Sequence, residues 1–195
     1  GTLLGLSAET IAEELSPISF LAALKHPLPA GGMERAVFRR LVRRFERAAL
    51  RGPRPGPGFA GLKRALGGAA KDAGGLGEWL EALGTAAAAM VEATAARRAD
   101  LAGIVRAHIG FAEHLASDGG SGAGNLWAGE AGEEAAAFMS ELLAGAAGHP
   151  PLRAKSYPAL LRVLMRGRVV RPRHSRHPRL HIWGPLEGRF QQADV

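Results

Sequence analysis

The chain has 195 residues with a hydrophobic share of 47%, carried mostly by Ala and Leu, and only 6% aromatics, which favours helices packed through small side chains and argues against an all-β fold. Cysteine is absent, so disulfides, iron-sulfur clusters and cysteine-based zinc sites are excluded, while 27 glycines and 12 prolines rule out one long coiled coil. The formal net charge of +7, with a sequence pI near 10.9, points to polyanionic partners such as nucleic acid.

The opening GTLLGLSAETIAEEL has neither a basic start nor an apolar core before a cleavage site, and no stretch reaches the ~18 apolar residues of a spanning helix. The chain reads as soluble and cytoplasmic, with no membrane partner. Its first residue is Gly rather than Met, which points to an internal piece of a longer protein.

A first helix is predicted over Ser7 to Glu14. Ser16-Pro17 then offers a hydroxyl N-cap with Pro at the first helical position, opening a short helix that must stop near Lys25 because Pro27 disfavours α geometry at His26. After the PLPAGG loop a helix is predicted from Glu34 to Leu50, closed by Arg51-Gly52-Pro53 with Gly52 available for a left-handed cap. On a wheel at 100° per residue, Val37, Phe38, Leu41, Val42, Phe45, Ala48 and Ala49 fall in an arc of about 140°, and arginines fill nearly all the rest. The helix therefore has one face to bury and one face of guanidinium groups.

RGPRPGPG reads as a stiff connector. Further helices are predicted at Gly58 to Ala70, Leu76 to Arg98, Asp100 to Ala116 with Asp100 as N-cap, Glu130 to Ala147, and Pro158 to Arg166. SDGGSGAGN between them reads as a flexible loop. After Gly167 the texture changes: RVVRPRHSRHPRLHIWGPL mixes β-branched and aromatic pieces with Pro, predicting a strand at Leu180 to Trp183 and a helical turn at Leu186 to Gln191.

Positive charge sits in two blocks. The first runs from Glu34 to Arg54 and includes Arg39, Arg40, Arg43, Arg44 and Arg47. The second, Arg153 to Arg179, includes Arg168, Arg171, Arg173, Arg176 and Arg179 and has no acid. These ten arginines are the candidate nucleic-acid contacts, since guanidinium groups engage phosphates bidentately and release counterions on binding. A solvated or interdomain face is the alternative, and the residues leave both open.

No catalytic constellation is visible. His174, His177 and His181 sit at metal-like intervals but lack Cys or carboxylate partners, and the arginines around them would repel a cation. His108 and His114, six apart on a helix, point about 120° from each other. Glu130, Glu133 and Glu134 are what a helix dipole favours in a first turn. The glycines from Gly119 to Gly124 lack the Gly-Lys-Ser/Thr of a phosphate loop. Neither catalytic nor metal residues are expected, nor a cofactor in this segment.

The stretches FLAALKHPL, LRGPRPGPG, LWAGEAGEEAAAF, YPALLRVLMRGRVVRP and HPRLHIWGPLEGRFQQADV resemble, in order, the AddB family of double-strand break repair proteins in its alphaproteobacterial form. The resemblance implies an irregular, mainly α helical bundle over 1–167, similar to the helical insert in the second motor half of a superfamily 1 helicase. It further implies that 168–195 begins a RecA-like strand and turn at a degenerate motif V, with Gly184, Glu187 and Arg189 in its turn. Phe190 to Ala193 departs from the Gly-Leu-Glu-Phe of active motors. The implied function is a DNA-contacting and scaffolding segment of a helicase-nuclease that processes double-strand DNA ends. Its partners would be DNA and the AddA subunit, and ATP and Mg would act elsewhere in the parent complex. A segment that only packs on AddA or on other AddB domains is the alternative.

Overall fold

A computed structural model of the chain describes residues 1–67, 75–170 and 189. The helices are α1 (Thr2–Ala12), α2 (Pro17–Lys25), α3 (Arg35–Phe45), which runs on as a π-helical turn (Glu46–Leu50), α4 (Gly58–Leu66), α5 (Leu76–Ala95), α6 (Leu101–Ala116), α7 (Gly124–Trp127), α8 (Gly129–Gly145) and α9 (Tyr157–Met165). The mainly helical class expected from Ala- and Leu-rich composition is therefore observed. Two short antiparallel strands complete it, β1 (Arg98–Ala99) and β2 (Leu152–Arg153), with Arg98 opposite Arg153 and Ala99 opposite Leu152. The strand and turn predicted at 180–191, apart from Arg189, lie outside the described residues.

Helix α6 is the hub, because its buried face turns round more than one side. Leu101, Ile104, Val105, Phe111, Ala112 and Leu115 are all buried, and α1, α5, α7 and α8 pack on it. Asp100 caps the helix as predicted, its carboxylate accepting from the Gly103 amide at 2.7 Å. Helix α1 bridges to α2, α6 and α9, so the first and last of the described α-helices are in contact. Burying a Leu or Phe side chain stabilises by ~1.5–3 kcal/mol, and Leu3, Leu4, Phe20, Phe38, Phe45, Leu62, Leu80 and Phe111 are each at most 2% exposed.

The apolar face of α3 is fixed by edge-to-face aromatic contacts. Phe45 meets Phe20 of α2 at 6.0 Å and Trp79 of α5 at 5.5 Å, and Phe38 meets Trp79 at 6.0 Å. Such pairs add ~0.5–1.5 kcal/mol beyond area burial and hold one rotation of the helix. That rotation sends the arginine face outward.

Several local expectations need correction. Helix α1 starts at Thr2 rather than Ser7 and is followed by Glu14 and Leu15, both left-handed, with the Leu15 amide donating to Thr10 at 2.8 Å. The Ser16 hydroxyl does not cap α2; it donates to Glu13, and the Ser16 carbonyl takes the Phe20 amide at 2.9 Å. Gly52 is not left-handed, because the π turn ends the helix at Arg51 without that cap. Helix α4 stops at Leu66, where Gly67 at φ +47° breaks it, and α5 gives way at Ala95 to β1. The SDGGSGAGN segment is organised rather than flexible: Asp118 accepts from the Gly120 and Ser121 amides, the Ser121 hydroxyl and the Asn125 amide, and α7 follows. These hydrogen bonds hold the Asp118 carboxyl below its ordinary pKa, those from Ser121 foremost.

Candidate nucleic-acid interface

The PLPAGG loop returns the chain so that the C-terminal end of α2 lies beside the outer face of α3. Between them runs a groove of about 680 Å³ lined by Leu24, Lys25, Arg39, Arg40, Val42, Arg43, Arg44, Glu46, Arg47 and Arg51. Seven of these side chains are cationic and one, Glu46, is anionic. Leu24 and Val42 are buried, so the floor is apolar and the walls are charged.

The arginines do not share one face by α-helical spacing alone. At 100° per residue, Arg39, Arg43, Arg47 and Arg51 would drift around the helix by about 40° at each step. The π turn corrects this drift, because i→i+5 bonding advances by only about 82° per residue and returns Arg47 and Arg51 to within about 45° of Arg39 and Arg43. The same change explains Ala48, which the regular wheel places in the apolar arc but which is exposed, while Ala49 is buried. A rare helical turn thus straightens a row of guanidinium groups.

Glu46 is ion-paired to Lys25 at 2.6 Å and to Arg51 at 3.6 Å, and its side chain is 19% exposed. Its carboxyl is held below the ordinary range first by the hydrogen bond from Lys25 and then by the two cationic charges. Among the described residues, Arg39, Arg40, Arg43 and Arg47 are all exposed and face no carboxylate at ion-pair distance. Arg44 is half-buried. All five predicted arginines of the first block therefore border one groove. Sequence reasoning missed Lys25 as a member; it lies outside the basic block and reaches the groove only through the α2–α3 turn. Glu46 carried a signal, as the lone acid among the arginines.

The second block is engaged differently. Lys155 pairs with Glu14 at 2.9 Å, and Arg162 pairs with Glu9. Arg168 reaches Glu134 at 3.0 Å, also binds Glu141, and stacks over the Phe138 ring at 5.5 Å. Hydrogen bonds from Arg168 to Glu141 and then Glu134 raise its already high pKa. These cations fasten the last described part of the fold to α1, the turn after it and α8, and a phosphate at Arg168 would have to displace two carboxylates. Arg171, Arg173, Arg176 and Arg179, the histidines at 174, 177 and 181, and Gly184 and Glu187 lie outside the described residues; Arg189 is exposed.

A separate polar cluster lies inside the bundle. The Ser7 hydroxyl donates to the Leu4 carbonyl at 3.1 Å and lies 2.9 Å from His108 Nε2, and His108 Nδ1 lies 2.8 Å from the Tyr157 hydroxyl. Because Ser7 already donates its proton to Leu4, it accepts from Nε2–H, which leaves Nδ1 to accept from Tyr157. Burial lowers the His108 pKa to about 4 and raises that of Tyr157. His108, Ser7 and Tyr157 are all fully enclosed, so the trio ties α1, α6 and α9 together rather than meeting a substrate. His108 and His114 are not brought together as a site: His108 is committed to this trio, and His114 is half-buried.

No helix among the described residues is long and apolar enough to cross a membrane, and no described group of His, Asp and Glu is arranged to hold a metal ion. No family model, curated protein or solved structure matches the chain.

Proposed function

We propose that this chain is a DNA-contacting and scaffolding segment of an AddB-type subunit, gripping nucleic acid through phosphates while other parts of a helicase-nuclease unwind and cut double-strand ends. The observation that carries the reading is the α2–α3 groove, where seven cations surround one carboxylate. A row of arginines on a rigid helix suits a phosphate backbone, and among the described residues the lining has no aromatic side chain on which a base could stack. The grip is therefore sequence-indifferent and works by counterion release. The ordered resemblance to AddB supplies the parent machine, with AddA as the partner subunit and with ATP and Mg acting in other domains.

Titration of a fluorescent random-sequence duplex, and of a single strand of equal length, tests this. Affinity should fall by an order of magnitude or more between about 50 mM and about 200 mM salt. Reversal of Arg39, Arg43 and Arg47 to Glu together should abolish binding without changing the helical circular dichroism. Wild-type protein that fails to bind at low salt would sink the reading.

Exposed Val163, Leu164, Val169 and Val170 favour a second reading, in which the segment only packs on AddA or on other AddB domains. Under that reading, the triple reversal would spare DNA affinity, and polar replacements at 163 and 169 would weaken assembly of the two subunits.

A further inference from the structure

Glu46 is the single carboxylate among the residues lining the groove, and it is lodged there rather than lying at the rim. Its oxygens lie 2.6 Å from Lys25 Nζ and 3.6 Å from an Arg51 nitrogen, so it joins a cation of α2 to one just beyond the π turn. A backbone phosphate entering between the same two cations would present similar oxygens and a similar charge. We propose that Glu46 is a built-in counter-anion, occupying the place of a phosphate between Lys25 and Arg51 and holding the groove's affinity for nucleic acid below what its cations alone would give. The inference rests on the groove reading above.

The π turn makes this possible. It brings Arg51, five residues on, back beside Glu46, where regular α spacing would set the two about 140° apart, so the carboxylate sits between Arg51 and Lys25. Bound nucleic acid then engages Arg39, Arg40, Arg43 and Arg47 first. Contact with Lys25 and Arg51 requires that the carboxylate be displaced. Such an arrangement keeps the grip weak enough to release and slide, as a moving duplex demands.

The test uses the full 195-residue chain and a short fluorescent duplex, with Glu46→Gln as the main variant. The amide keeps an oxygen for Lys25 and removes the charge. Binding at about 50 mM salt should tighten on the order of tenfold, as expected for deleting one charge in a partly screened groove. The slope of log affinity against log salt should steepen by about one to two as Lys25 and Arg51 join the contact. Lys25→Gln should cost more affinity in the Glu46→Gln background than in wild type, a coupling that a purely structural ion pair would not produce. Wild-type binding with an unchanged or weaker Glu46→Gln variant, its melting curve intact, would overturn the proposal alone. Should Glu46→Gln unfold, the Lys25 and Arg51 single substitutions decide: full losses like that of Arg39→Gln would overturn it. Absence of binding by wild type and variant alike at low salt would remove the groove reading itself, and the proposal with it.

Discussion

His108 accepts from Tyr157 and donates to Ser7, so both ring nitrogens are satisfied in the neutral form and protonation would require one partner to be given up. Its folded-state pKa of about 4 lies below the ordinary 6.5. The unfolded chain therefore takes up a proton near pH 6.5 that the native state refuses until about pH 4. This contribution to stability is complete above the unfolded value, declines as pH falls through that window, and is on the order of 3 kcal/mol. Denaturant titrations at pH 7.5, 5.5 and 4.5 should show the decline. Glu and Asp titrations contribute too, so the diagnostic is the difference between wild type and His108→Gln, whose slope should be shallower between pH 6.5 and 4.5. Equal slopes would mean that the imidazole is reached by water and not locked between its partners.

At the scale of elements, the π turn after α3 is the feature with most leverage on function. Deleting Ala48, an exposed residue in that turn, should convert it to α-helix and swing Arg47 to about 80° from Arg39, while Arg51, then eleven positions on, stays within about 20° of it. We expect duplex affinity to fall several-fold with the helical content unchanged; a deletion variant that binds like wild type would show that alignment of the row is irrelevant.

The same turn marks the limit of what could be read in advance. The amphipathic pattern of Phe38, Leu41, Val42 and Phe45 was legible because helical period and burial coincide there, and so was the Asp100 cap, a local interaction spanning three residues. The π turn was not, since a wheel assumes a fixed angle per residue and ERAAL has no distinguishing composition. The contacts of His108 with Ser7 and Tyr157 were invisible for a different reason: they join positions 101 and 49 residues apart. The β1–β2 pairing likewise depends on where the chain returns, and Arg98 opposite Arg153 is a pairing that local preference would not select. The arginine groove was half legible; the basic stripe could be seen in α3, but the opposite wall could not.

For the molecule as a whole, charge segregation sets a cost. The groove concentrates six net positive charges, seven cations less Glu46, whereas the described cations of the second block that pair, Lys155, Arg162 and Arg168, do so with carboxylates of α1, of the turn just after it and of α8. Self-repulsion in the groove should be relieved by counterions, so the melting temperature should rise from low ionic strength to about 0.15 M, where screening acts over ~8 Å. Calorimetry or circular dichroism across that range measures it. In the Arg39→Glu, Arg43→Glu, Arg47→Glu variant the rise should vanish or change sign. A wild-type melting temperature that falls with salt would instead mean that the exposed ion pairs outweigh the groove.

The junction of α1 with α9 also governs how the chain reaches this structure. Helices α1 and α9 pack together, so that buried Leu3, Leu4 and Ile11 of the one join the same core as Tyr157 and Leu161 of the other, and the Glu9–Arg162 and Glu14–Lys155 pairs close the same seam. Because loop-closure entropy must be met before such distant contacts repay it, the bundle is slow to seal for a mainly helical protein. On the ribosome, α1 would wait with greasy side chains uncovered until α9 had emerged, a window in which a chaperone could hold it.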